Sequence, residues 1–113
     1  MKITHTTDGD VCTVNTEGQF AMESVSAIKK YMQPLVADEN IKTVLIDFSQ
    51  VGFIDSGGVG LVVMTSMGLK QRSANFALVN VNREVTEIFN LCGLGDQINI
   101  FASKEEAVAH FAS

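Results

Sequence analysis

One short stretch of the 113-residue chain concentrates the groups that could do chemistry, Asp55-Ser56-Gly57-Gly58-Val59-Gly60, just after a run of strand-like residues. A hydroxyl beside a carboxylate, where a strand gives way to a helix, suits contact with a second molecule. It also suits two ordinary helix-terminus residues. Ser56 directly before a helical run fits an N-cap accepting a hydrogen bond from an orphan backbone N–H, and Asp55 fits a complement to the helix dipole. The glycines fit neither role. Each costs a helix interior roughly 1 kcal/mol relative to Ala, and capping requires none of Gly57, Gly58 and Gly60. Glycine removes bulk, so the expectation is a backbone and a Ser56 hydroxyl open to a second molecule.

Nucleophilic catalysis would pair Ser56 with a histidine base. The only histidines, His5 and His110, lie near opposite ends of the chain, and they read as an exposed strand residue and a solvated helix face. The loop lacks the G-x-S-x-G elbow, and it lacks the lysine and spacing of a phosphate-binding loop. No metal-ligand spacing occurs. The reading is therefore a non-enzyme with no cofactor and no metal. With 8 Lys and Arg against 13 Asp and Glu the net charge is −5, which argues against nucleic acid as partner, because phosphate binding needs clustered cations. No apolar run approaches the ~20 residues of a membrane span, and the opening MKITHTTDGD lacks the apolar block of a secretory signal. A cytoplasmic domain without membrane insertion is expected. Cys12 and Cys92, both inside apolar patterns, read as buried thiols.

The elements that must position this loop follow from periodicity. At 46% hydrophobic and 19% charged, the chain has the composition of one folded domain, residues 1–113. Residues 3–7 and 11–16 flank Asp8-Gly9-Asp10, which predicts an N-terminal hairpin. Residues 43–48 (TVLIDF) and 76–81 (FALVNV) are nearly continuous apolar runs and read as central strands buried on two faces; 98–101 is a weaker last strand. Helical spacing of Val25, Ile28, Met32, Leu35 and Val36 predicts a helix over 22–37, with Pro34 kinking or shortening its last turn. Val85, Ile88, Phe89 and Cys92 form a second stripe stopped by Gly93. Ser103-Lys104-Glu105-Glu106 is a capping box that opens a final helix. The remaining helix, 57–72, carries two apolar arcs. Val59, Val62, Val63, Ser66 and Met67 suit the sheet-facing side, while Leu61, Met64 and Gly68 form a second arc, either covered by a neighbouring helix or available to a partner. The fold class is thus α/β, with a mixed sheet of about five strands and about four helices.

Three segments together carry a resemblance: IDFSQVGFIDSGGVGLVV, with Asp47, Phe53 and the Asp55-Ser56 pair; LVNVNREVTEIFNLCGL, with Phe89 and Gly93-Leu94; and the terminal IFASKEEAVAHF. With Gly18 after the second strand, they make the chain similar to the STAS domain family over essentially its whole length. It resembles in particular the single-domain anti-sigma factor antagonists of bacterial partner-switching systems. Two positions depart from the family pattern. Ala21 stands where an acidic residue is common, and Gly57 stands where Ser, Thr or Ala is common, which leaves Ser56 the only hydroxyl of the loop. The resemblance implies a switch whose unmodified form binds an anti-sigma factor or serine kinase, is phosphorylated on Ser56 and is restored by a serine phosphatase. Asp55, Gly57, Gly58, Gly60, Leu61 and Met64 are the implied partner contacts. Gln19, Phe20 and Met22 join them, because many family members place that loop beside the phosphorylated helix; Phe20 suits a core position as well. The alternative is a STAS subunit of a constitutive assembly, such as a lipid-transport complex or a stress sensor, without a phosphorylation cycle. The controlled output, whether a sigma factor, secretion or biofilm formation, stays open.

Overall fold

The computed structural model describes residues 1–112. The chain begins with an antiparallel pair, β1 (Lys2–Asp8) and β2 (Val11–Phe20), joined by a two-residue turn whose first member, Gly9, has φ +62°. Glycine at that position is what a tight type II′ connection needs. There follow α1 (Met22–Ala37), β3 (Thr43–Ile54), α2 (Ser56–Gln71), β4 (Asn75–Val79), α3 (Arg83–Leu91), the two-residue β5 (Ile100–Phe101) and α4 (Lys104–Ala112). The strands form one sheet in the order β1-β2-β3-β4-β5, antiparallel between β1 and β2 and parallel elsewhere. Among the described residues there are five strands and four helices, in agreement with the about five and about four expected.

Helices cover both faces of the parallel part, which is why β3 and β4 read as continuous apolar runs. Val44, Ile46 and Phe48 alternate with Leu45 along β3. The first set joins the larger core with Ile28, Met32, Val62 and Phe89 from α1, α2 and α3, and Leu45 joins Ala77, Val79 and the α4 residue Ala107 on the opposite face. Cys12 is buried in the larger core, and burial raises its thiol pKa above the ordinary value.

Several boundaries differ from expectation. β3 runs six residues past Phe48, because register shifts between Asn15 and Glu17 and between Gly18 and Phe20 let β2 and β3 stay paired around irregularities. Gly18 therefore lies inside β2, at φ +122°, rather than after it. β4 stops at Val79, where Asn80 adopts φ +57°, and β5 is shorter than 98–101. Pro34 does not end α1, which continues to Ala37. Arg72 takes up a carbonyl at that end and one in the connection beyond it: Nε donates to Val36 O (2.6 Å) and Nη1 to Ile41 O (2.7 Å). Cys92 is exposed, not buried, because α3 ends at Leu91 and the chain turns away through Gly93 at φ +74°. The expected capping box forms in part at the start of α4: Ser103 Oγ accepts from Glu106 N, while Glu106 Oε2 accepts from Ala102 N, one residue before the cap, instead of from Ser103 N.

Candidate functional site

Asp55, not Ser56, is the N-cap of α2: its Oδ1 accepts from Gly58 N at 3.0 Å. Its other oxygen, Oδ2, accepts from Met22 N at 3.0 Å, in the first turn of α1. One carboxylate thus satisfies orphan donors of two helices. The N-cap of α1 is Ala21, which offers no side-chain cap, so the group at the start of one helix is supplied from the start of the other. The Met22 and Gly58 N–H groups hold the Asp55 carboxyl pKa below its ordinary value, and partial desolvation opposes them. Nothing in the local sequence around Ala21 points to this bridge, because the donor and acceptor are 33 residues apart.

With capping assigned to Asp55, Ser56 becomes the first helical residue, and it is exposed. Its hydroxyl stands beside an ionised carboxylate, at the positive end of a 16-residue helix.

The three glycines do three different things. A Cβ on Gly58 would lie 1.9 Å from Phe20 O, so this glycine permits the end of β2 to approach α2. A Cβ on Gly57 would meet Met22 at 2.9 Å from Cε. At Gly60 a Cβ would meet nothing within 4 Å, and the residue is exposed. Openness to a second molecule, expected of the whole cluster, is thus a property of Gly60, while Gly58 answers to internal packing.

Two expected contacts face inward. Phe20 is buried against Phe48, with ring centroids 4.9 Å apart, and Leu61 is only 4% exposed. Leu61 is covered because α2 packs on α1 as well as on the sheet, so a second apolar arc is needed within the fold. The sheet-facing arc is also rotated. Val59, Val62, Thr65, Ser66 and Leu69 are buried, whereas Met67 is 56% exposed; Thr65 tolerates burial by donating to Leu61 O at 2.9 Å. Gln19, Met22, Ser56, Gly60 and Met64 remain on the surface. Phe53, which the periodicity did not single out as a contact, is 48% exposed in the irregular end of β3. An apolar groove of about 340 Å³ lies between α1 and α2, with Met32, Val36, Leu61 and Met64 in its walls.

The two histidines belong to other neighbourhoods. His5 hydrogen-bonds Tyr31 Oη, and His110 sits against the Phe101 and Phe111 rings. Among the described residues no cluster of three metal-ligating side chains occurs, and no helix is long and apolar enough to cross a membrane.

Comparison with known proteins now decides the family. The STAS domain model matches residues 2–107. The chain belongs to the STAS domain family. It is 28% identical over 95 residues to an anti-sigma-B factor antagonist of Bacillus subtilis, covering 84% of this chain and 85% of that one. Among solved structures, the protein TM1081 of Thermotoga maritima superposes with a TM-score of 0.91 at 21% identity, covering 98% of this chain and 95% of that one. The anti-sigma factor antagonist SpoIIAA of Bacillus superposes in its unphosphorylated form (TM-score 0.81, 22% identity, 98% and 96% covered). Its phosphorylated form does so too (TM-score 0.74, 22% identity, 97% and 99% covered). These two likenesses are of fold.

Proposed function

We propose that this STAS domain is an anti-sigma factor antagonist that works by partner switching. Its unphosphorylated form binds an anti-sigma factor or serine kinase, phosphorylation of Ser56 releases it, and a serine phosphatase resets it. The observation that carries this reading is the division of labour at the start of α2: Asp55 does the capping, so the adjacent Ser56 hydroxyl is exposed and spared for chemistry. Names of relatives such as the Bacillus subtilis antagonist support the same role.

The chemistry assigned to the chain is that of an acceptor. Both Asp55 oxygens already accept backbone N–H bonds, and a carboxylate held below its usual pKa is a poor base at neutral pH. The base and the phosphoryl donor belong to the kinase. A phosphate on Ser56 adds about −1.5 to −2 charges. Two unit charges ~4 Å apart at an effective dielectric near 20 interact by roughly 4 kcal/mol. Opposite an acidic or carbonyl-rich partner surface, that weakens binding on the order of a thousandfold. The same dianion lies at a helix N-terminus, which suits it, so the domain holds its fold and changes charge and shape locally.

The deciding measurement is the intact mass of the protein isolated from its native cells, with any added phosphate located by fragmentation. The expected result is one phosphate on Ser56. Binding of the captured partner by Ser56→Ala and Ser56→Asp completes the test: Ser56→Ala binds like wild type, and Ser56→Asp binds weakly. If both bind like wild type and no phosphate appears under any growth condition, the switch is wrong and a constitutive STAS subunit takes its place.

A further inference from the structure

The sheet has one long open edge. β5, at one side, is two residues long, whereas β1 at the other side runs seven residues, pairs only with β2, and is exposed at every position but Ile3. Long edges in natural sheets are usually blunted by a proline, a bulge or several charges. β1 has neither proline nor bulge, and its only charged residues are Lys2 and Asp8, one at each end.

The pattern of its backbone groups is set by the turn. Asp8 and Val11 flank the two-residue connection, so Asp8, Thr6, Thr4 and Lys2 exchange hydrogen bonds with β2, while the N–H and C=O groups of Thr7, His5 and Ile3 point outward. Consider a second β1 related by a two-fold axis perpendicular to the sheet, just outside the edge and midway between the two His5 residues. Ile3 then lies opposite Thr7 of the copy, His5 opposite His5, and Thr7 opposite Ile3, so each outward-pointing residue meets another. On the same alignment Lys2 lies directly opposite Asp8 of the copy, at both ends, and Thr4 lies opposite Thr6. The charged pairs occupy non-hydrogen-bonded positions, where Cα atoms come within about 4.5 Å and side chains are closest. Sliding the register by two residues in either direction leaves outward groups unpaired and separates Lys2 from Asp8. Within one copy, among the described residues, Lys2 reaches only Glu17, at 3.8 Å and with both side chains largely exposed, an interaction weak enough to share or exchange.

We infer that β1 is a homodimer edge, which pairs antiparallel with β1 of a second copy of this chain, centred on His5 and fixed in register by two Lys2–Asp8 ion pairs. The result is a continuous ten-stranded sheet. α2 begins beyond the far end of β3, two strands in from this edge, so the dimer carries two Ser56 sites, both uncovered. The inference stands independently of the Ser56 reading.

Sedimentation equilibrium of the unmodified full chain over a concentration series tests it, together with amide hydrogen exchange. A concentration-dependent dimer is expected, with the Ile3, His5 and Thr7 amides gaining protection as the dimer fills. Lys2→Asp and Asp8→Lys should each weaken dimerisation about tenfold or more, since each places like charges opposite one another at both ends. The doubly swapped variant should return close to wild type. Circular dichroism of each variant confirms that the hairpin is intact. A monomer at every concentration up to about 1 mM overturns the inference. So does a dimer indifferent to both reversals, or one that the double swap does not restore.

Discussion

Asp55 is the residue on which the site turns, and its role makes a pH prediction. Its folded pKa is lower than the ordinary 3.8, so the stability it contributes is complete above that value and disappears as pH falls through the folded value. In Asp55→Asn one amide oxygen remains to serve two N–H groups, Met22 and Gly58, and no proton is taken up. The variant should unfold at lower urea than wild type at pH 7, and the gap should narrow at pH values below the ordinary 3.8, as protonation disables the wild-type carboxylate. A gap that is the same at both pH values would show that the carboxylate does not bridge the two helices. Sequence reasoning placed Asp55 at the dipole of its own helix and gave the cap to Ser56. An N-cap and the residue after it are easily exchanged by pattern alone, since both Asp and Ser cap well, and only the hydrogen bonds distinguish them.

At the scale of the helix, the glycines of α2 separate packing from access. Gly58→Ala forces a Cβ to 1.9 Å from Phe20 O, and backbone moves less readily than a side chain end, so a loss of about 1–3 kcal/mol is expected despite the better helix propensity of Ala. Gly60→Ala meets nothing within 4 Å and should stabilise the domain by up to about 1 kcal/mol. Urea denaturation reads both. If Gly60 borders the partner, the stabilised Gly60→Ala variant will also bind that partner less tightly, a combination that loss of fold cannot produce. Leu61 and Met64 make the companion case. They share an arc on the helical wheel, yet α1 covers the first and leaves the second 55% exposed. Partner binding should therefore respond to Met64→Ala without loss of stability, whereas Leu61→Ala should cost about 2–5 kcal/mol of folding energy, as core truncations do.

Across the whole molecule, α1 and α2 are tied at both ends by opposite charges. Asp55 holds the two N-termini, and Arg72, at the end of α2, holds the carbonyls of Leu35 and Val36 in the last turn of α1 and that of Ile41 in the connection to β3. Each charge complements the helix dipole it meets. Arg72→Ala should cost about 2–3 kcal/mol, because hydrogen bonds to charged groups contribute roughly 1.5–3 kcal/mol. Arg72→Lys should recover only part, since one ammonium cannot match a planar fork that spans several carbonyls. Equal stability of the two variants, measured in urea, would refute the staple.

What the sequence determined by itself is whatever depends on local period and local chemistry. Continuous apolar runs defined the central strands, the turn residues around Gly9 the N-terminal hairpin, helical stripes and a capping box the helices, Gly93 a reversal, and the Asp-Ser-Gly-Gly stretch the start of α2. Tertiary structure decided everything that depends on what lies opposite. Helical spacing tells which residues share a face, but the neighbour that covers that face comes from far along the chain, so Leu61, Phe20, Met67 and Cys92 were assigned wrongly or left open. The same holds for Gly58, which answers to a carbonyl 38 residues earlier, and for Asp55, which answers to an amide 33 residues earlier. Such pairings follow from strand order and helix packing, and no local pattern encodes them.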